Sequence, residues 1–326
     1  MDAEMASLKS TRTYIDALPP SGANIVDGMW ILRVKRQPGS PRAFKERYVA
    51  RGFNQRQGVD YFQTFSPTPK MTTLRVLLHV AAQRDYELHS LHFSTAFLTT
   101  LAALGFNPST ADPSLFLRTD TSLPPFYVLV YVNDLVFAAA ETEALTLVKS
   151  ELQKRHTCTD LGELRSYLGL QITRDRARRT ITLTQSHMVH QSVEPSGPYR
   201  EFVGCLMYLM TCTRPDLAYP LGLLARYVAP GRHRKVHWDA AKRVLRYLCS
   251  TSGMGLVLGG RGPVVLTGFA DASWADDSAS QQSSQGYTFS LGSGSVHWRS
   301  TRSSSVLSSS CEAEIYAGAM AAQELR

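Results

Sequence analysis

Cysteine is sparse and scattered in this chain. Its 326 residues include five, Cys158, Cys205, Cys212, Cys249 and Cys311, an odd set without a C-x-x-C pair. That pattern excludes a disulfide framework and a zinc ribbon as organising devices, and it fits a reducing compartment. Long apolar runs are missing too: no stretch of eighteen apolar residues occurs, and the start, MDAEMASLKSTRTY, has no apolar h-region. The expectation is a soluble intracellular chain, cytoplasmic or nuclear, with no signal peptide and no membrane partner. No internal repeat is visible, and the Ser-rich stretches 278–284 and 300–310 are too short for low-complexity domains.

What is present is enough apolar material for a core: 44% of residues are hydrophobic and 10% aromatic, which suits two or three modest domains. Lys and Arg number 35 against 27 Asp and Glu, a formal charge of +8. Nucleic acid heads the partners such a surplus suits, although many soluble proteins are basic for solubility alone.

Residues 1–27 are polar and broken by Pro19-Pro20-Ser21-Gly22, and read as a poorly ordered leader. WILRVKR and FKERYVARGF then alternate apolar with basic residues around a QPGSP turn, which predicts a basic β-hairpin. Leu74, Leu77, Leu78 and Ala81 recur at helical spacing between Thr72 and Tyr86, with Thr72 or Thr73 as N-cap. FYVLVYV (126–132) and LVFAAA (135–140) are two strands joined by the dipeptide Asn133-Asp134. That dipeptide presents an acidic group rigidly, and it is equally a favourable turn. In the following helix Leu145, Val148 and Leu152 form one stripe packing back on the hairpin.

Two prolines and a glycine in QSVEPSGPYR (191–200) mark a domain boundary. In RHRKVHWDAAKRVLRYL (232–248), Val236, Ala240, Val244, Leu245 and Leu248 share one helical face, and Arg234, Lys235, Lys242, Arg243 and Arg246 populate the rest. Such a helix either tracks a phosphate backbone or is merely solvated. His233 and His237 have metal-compatible spacing but no third ligand nearby, which favours a surface helix. Strand-like VVLTGFAD (264–271), GYTFSLG (286–292) and SVHWRS (295–300) precede a helix from Cys311, where Ser309 and Glu312 make a capping box.

Many blocks carry a resemblance in order from Trp30 to Arg326. RYVARGFNQRQGVDYFQTFSPTPKMTTLR, LHFSTAFL, GFNPSTADPSLF, YVNDLVF, LGELRSYLGLQI, GCLMYLMTCTRPDLAY, HWDAAKRVLRYL, GFADASWADD and LSSSCEAEIYA resemble successive parts of the reverse transcriptase and ribonuclease H region of copia-type (Ty1/copia) retrotransposon polyproteins. The resemblance implies an α+β chain: a right-hand polymerase palm and fingers over 28–190, a helical connecting region over 191–262, and a truncated ribonuclease H-like domain over 263–326. It implies an RNA template, an RNA–DNA hybrid and deoxynucleotides as partners, with Mg2+ or Mn2+ as cofactor. Lys45, Arg47 and Arg51 match the basic fingers block that neutralises triphosphate, an exposed basic hairpin being the plainer reading. Lys235, Lys242 and Arg246 are the candidate phosphate contacts of the later helix.

The departures matter as much. The family supplies one aspartate in an L-D-V-x-x-A-F-L block and two at a Y-V-D-D tip, to hold two metals about 3.5–4 Å apart. Here those positions read His92, Asn133 and Asp134, so a single carboxylate is left. A stretch of fingers and palm is expected between Thr100 and Leu101, where the sequence runs straight on; a similar abbreviation is expected around 191–198. In the ribonuclease H blocks Asp271 and Glu314 match two metal-binding carboxylates, while the third would lie beyond Arg326. Asp276 and Asp277 are possible substitutes, or a solvated acidic loop. Three readings stay open: a degenerate, catalytically impaired fragment of an RNA-directed DNA polymerase with ribonuclease H; a non-catalytic nucleic-acid-binding remnant; and a weakly active metal-dependent polymerase.

Overall fold

The computed structural model describes residues 5–6, 9, 17–19, 21–35, 43–56, 58–59, 69–93, 98–191 and 198–325. The chain divides into two compact units, 1–67 and 68–326. In the first, β1 (Gly28–Lys35) and β2 (Ala43–Ala50) pair antiparallel, with Trp30 opposite Tyr48 and Arg33 opposite Lys45. This is the hairpin that the apolar–basic alternation predicts. Its QPGSP turn, most of the leader and most of the 191–200 boundary segment lie outside the described residues.

The second unit is built around α1 (Met71–Arg84), whose Leu74, Leu77, Leu78 and Ala81 are all buried. Its N-cap is Lys70 rather than Thr72 or Thr73. Those two hydroxyls have tertiary partners instead: Thr73 Oγ1 donates to Asp112 at 2.6 Å, and Thr72 Oγ1 lies 3.0 Å from His297 Nδ1. The helix ends at Asp85 in the left-handed region, φ 58°, a conformation Asp tolerates better than most residues.

Three antiparallel sheets surround α1. The largest has the order β4 (Phe106–Pro108), β5 (Leu115–Arg118), β6 (Phe126–Tyr131), β7 (Asp134–Ala139), β3 (Glu87–Phe93), β8 (Cys158–Glu163). A second runs β12 (Leu256–Gly259), β11 (Thr180–Thr184), β10 (Leu170–Asp175), β9 (Ser166–Tyr167). The third is β13 (Leu266–Ser273), β14 (Ser284–Leu291), β15 (Gly294–Arg302), followed by α8 (Ser310–Glu324). One apolar core joins them: α1 side chains share it with Val136 of the first sheet, Ile181 of the second, and Phe289 and Trp298 of the third. On the other face of the large sheet lie α2 (Leu98–Ala103) and α3 (Thr142–Arg155), where Leu145, Val148 and Leu152 are buried as their stripe predicts.

Residues 186–250 are mostly helical, with α4 (Ser186–Gln191), α5 (Tyr199–Cys212), α6 (Ala218–Ala225) and α7 (Lys235–Ser250) around a core of their own. Two details differ from the sequence reading. β12, inside 191–262, is a strand completing the second sheet beside β11. Val236 is 64% exposed, because α7 turns Ala241, Leu245 and Leu248 inward and Val236 lies about 150° round the helix from them at roughly 100° per residue. Gly259 closes β12 at φ +89°, where a Cβ would meet Arg179 O at 2.3 Å and Ala82 Cβ at 2.6 Å. Only glycine suits both the conformation and the space.

Candidate functional site

β3 ends beside the tip of the β6–β7 hairpin, and the register brings the candidate polymerase positions together. His92 lies opposite Asp134, and Tyr131 pairs with Asp134 across the hairpin. The two-residue loop is therefore Val132-Asn133, one position earlier than turn chemistry suggests, and Asp134 opens β7. Val132 has φ 54°, a conformation that costs a β-branched residue about 1–3 kcal/mol unless its surroundings impose it. Part of that imposition is visible: the Phe93 N–H donates to the Asn133 carbonyl at 2.7 Å, tying the end of β3 to the loop.

His92 Nδ1 lies 2.7 Å from Asp134 Oδ1, and the two side chains are 51% and 36% exposed. The single carboxylate at this tip thus has a cation-capable partner already on it. A two-metal site needs several hard, negatively charged oxygens at one place. Here there is one carboxylate, a neutral asparagine amide and an imidazole, a poor Mg2+ ligand. This donor set does not fit a pair of Mg2+ ions. Among the described residues no group of three His, Cys, Asp or Glu side chains could hold a metal.

Asp134 also lines a cleft of about 440 Å³ with Ser90, Tyr167, Leu168, Gly169 and His187. The Tyr167 hydroxyl is buried there without a hydrogen-bond partner, and burial followed by the charge of Asp134 pushes its phenol up. Tyr167 was not singled out from the sequence. It sits in the LGELRSYLGLQI block on β9, and only the fold carries it to the hairpin tip.

Of the basic candidates, Lys45 and Arg47 lie on β2 and Arg51 just after it, where its N–H donates to Asp27 O at 2.7 Å; the Arg47 and Arg51 side chains are exposed. On α7, Lys235, Lys242 and Arg246 are all exposed. Lys235 pairs with Asp239 at 3.5 Å, and Lys242 Nζ stands 6.0 Å from the Trp238 ring centroid. A cleft of about 500 Å³ at the start of α7 is lined by these two lysines with Arg234, Trp238 and His233. The histidines are not paired ligands: His233 stacks on Tyr199, while His237 stacks on Tyr227 and its Nδ1 accepts the Arg234 N–H.

The second carboxylate set is differently placed. Asp271 is on β13 opposite Gly286, Glu314 is on α8, and both are exposed. Glu312 caps α8: Ser309 Oγ accepts its N–H, and its carboxylate accepts from Ser308 N–H at 2.6 Å and Ser308 Oγ at 2.7 Å. Those bonds hold its carboxyl below the ordinary range. Asp276 and Asp277 are occupied as well. Asp276 accepts from Ser284 N and Oγ, and Asp277 bridges Arg226 and Arg302 at 2.9 and 2.8 Å.

Comparison with known proteins completes the picture. The family described as "Reverse transcriptase (RNA-dependent DNA polymerase)" matches residues 11–101 and 99–197, two segments that meet where the sequence reading places a missing stretch. The "Retrovirus-related Pol polyprotein from transposon TNT 1-94" of Nicotiana tabacum is 28% identical over 409 aligned positions, covering 100% of this chain and 30% of that protein. The corresponding polyprotein from transposon RE2 of Arabidopsis thaliana is 31% identical, covering 94% of this chain and 26% of its own length. The "Putative transposon Ty5-1 protein YCL074W" of Saccharomyces cerevisiae is 30% identical over 64% of this chain and 76% of that protein. The chain spans less than a third of the two polyproteins. Among the described residues no helix is long and apolar enough to cross a membrane.

Proposed function

Because this chain belongs to the reverse transcriptase (RNA-dependent DNA polymerase) family, we propose that it is the copia-type reverse transcriptase and ribonuclease H region in catalytically impaired form. In this reading the six-stranded sheet with α1–α3 is the palm, the β1–β2 hairpin a fingers remnant, and β13–β15 with α8 the ribonuclease H-like part. The family role is copying element RNA into DNA with Mg2+ or Mn2+. The observation that carries impairment is the His92–Asp134 hydrogen bond of 2.7 Å at the hairpin tip. Two of the three family carboxylate positions are substituted, and one substitute engages the survivor.

Chemically, His92 and Asn133 supply no negative charge to draw a second metal toward the primer hydroxyl, so phosphoryl transfer loses its electrostatic stabilisation. Primer extension on an RNA template, with Mg2+ or Mn2+, tests this. The native chain is expected to add no nucleotides, and template-dependent synthesis by it would overturn the reading. Extension by the His92→Asp/Asn133→Asp double variant would show that the ligands are the lesion.

A second reading is favoured by the α7 cleft, where exposed lysines flank Trp238: a nucleic-acid-binding remnant without catalysis. Cations neutralise phosphates, so hybrid binding should weaken steeply with salt. A flat salt response counts against it.

A further inference from the structure

Arg75 raises a question that the hairpin tip does not answer. It is only 2% exposed, its guanidinium lies 3.9 Å from the Trp298 ring centroid, and it donates to the carbonyls of Val296 and Thr211. Its Nε has no partner, and none of the described carboxylates pairs with it. A buried cation without a counter-ion is costly. Burial lowers its pKa to about 10, so it stays charged at neutral pH.

Arg75 lines a cleft of about 380 Å³ together with Lys70, Arg299 and Ser300. A second cleft of about 380 Å³ adjoins it, sharing Gly222 and Ser300, and is lined by Arg226, Arg302, Ser284 and Ser303. The two clefts lie to either side of Gly222 and Ser300, where α6 packs on β15. Five cationic side chains line them between them, and no carboxylate does. Two carboxylates stand behind the cations: Asp277, whose Oδ2 accepts from both Arg226 and Arg302, and Glu324, which pairs with Arg299. Asp277 competes for both guanidinium groups and cancels one of their two charges, leaving one in excess. Arg302 holds the Asp277 carboxyl down at about 2, so the bridge persists across the physiological range.

We propose that the cleft lined by Arg226 and Arg302 is an anion site for phosphate groups, presented either free or along a nucleic-acid backbone. Arginine forks match the oxygen geometry of phosphate, and neighbouring serine hydroxyls can donate to the remaining oxygens. None of these residues was among the basic candidates read from the sequence. The proposal does not rest on the polymerase reading, since a chain that did synthesise DNA would leave this cleft as it is.

The test uses the full chain, with inorganic pyrophosphate followed by calorimetry and a labelled single-stranded RNA oligonucleotide followed by anisotropy over a salt series. The Arg226→Gln/Arg302→Gln variant is expected to weaken pyrophosphate about tenfold or more, the usual scale for losing charge-assisted bonds. Asp277→Asn, which releases both arginines, should tighten it several-fold, whereas a merely structural bridge predicts no gain. Should the arginine variant fail to fold by thermal melting, Asp277→Asn decides alone. Oligonucleotide affinity falling in parallel, with a salt slope shallower by about 1.4, identifies a backbone ligand; unchanged oligonucleotide affinity identifies free phosphate. Unchanged pyrophosphate binding in a folded arginine variant, or no tightening in Asp277→Asn, overturns the proposal.

Discussion

The two carboxylate regions of this molecule have departed from the family pattern in different ways. At the hairpin tip the backbone brings the three candidate positions together, and of His92, Asn133 and Asp134 only one is a carboxylate. Across β13 and α8 the two candidate positions both carry carboxylates and stand exposed, Asp271 on the strand and Glu314 on the helix. Register is held by core residues such as Leu91 and Leu135, which are fully buried. In the proposed reading the fold at the tip has outlasted its chemistry, because substitution of exposed ligands leaves that core untouched.

The largest perturbation of that contrast is expected from the core the two regions share. Leu78 is fully buried on α1, amid side chains of all three sheets. Leu78→Ala should cost about 2–5 kcal/mol, and because the core is common, β13–β15 should unfold in the same transition as the large sheet. Amide hydrogen exchange checks this. Protection retained in β13–β15 alone would show that the two regions are independently stable.

Next comes pH. His79 is fully buried, its Nδ1 accepts the Gly259 N–H at 3.0 Å, and burial lowers its pKa. Being lower in the folded state than unfolded, it leaves the unfolded chain binding more protons below about 6.5, so stability falls with acidification through that value. Burial lowers His297 as well, and acts in the same direction. Denaturant melts between pH 7 and 5 should show the decline, and His79→Gln, which keeps an acceptor, should flatten it. A native chain equally stable at both ends contradicts this.

Smaller effects separate capping from ligation on α8. Glu312→Ala should lower stability measurably through its lost bonds to Ser308. Asp271→Asn and Glu314→Gln, at exposed positions, should stay within about 0.5 kcal/mol. Chemical denaturation of the three variants ranks them; an Asp271→Asn loss as large as that of Glu312→Ala would mean that Asp271 has a structural partner.

Local patterns carried much of this from the sequence. The α1 stripe, the β6–β7 strands, the α3 stripe and the Glu312 cap are all written in short-range spacing. What was not legible is tertiary. Thr72 and Thr73 have cap chemistry, yet His297 and Asp112 engage their hydroxyls. Asn133-Asp134 is the better turn dipeptide, yet the pairing of His92 with Asp134 moves the loop onto Val132-Asn133. β9–β12 form a sheet whose last strand comes from more than seventy residues beyond β11. Tyr167, Arg75 and Arg302 acquire their roles only when distant elements meet. The candidate polymerase positions come from blocks of similar sequence alone; their convergence and the His92–Asp134 bond were not legible.

We infer that the hairpin tip has lost its metal site in the ligands and not in the fold. It is tested most directly by melting the native chain and the His92→Asp/Asn133→Asp variant side by side, in chelator and in saturating Mg2+. The native Tm should not respond to Mg2+. The variant, with three carboxylates crowded together, should melt lower in chelator and recover with Mg2+, each kcal/mol of binding being worth about 2–4 °C. A native chain stabilised by Mg2+ as much as the variant would contradict the account.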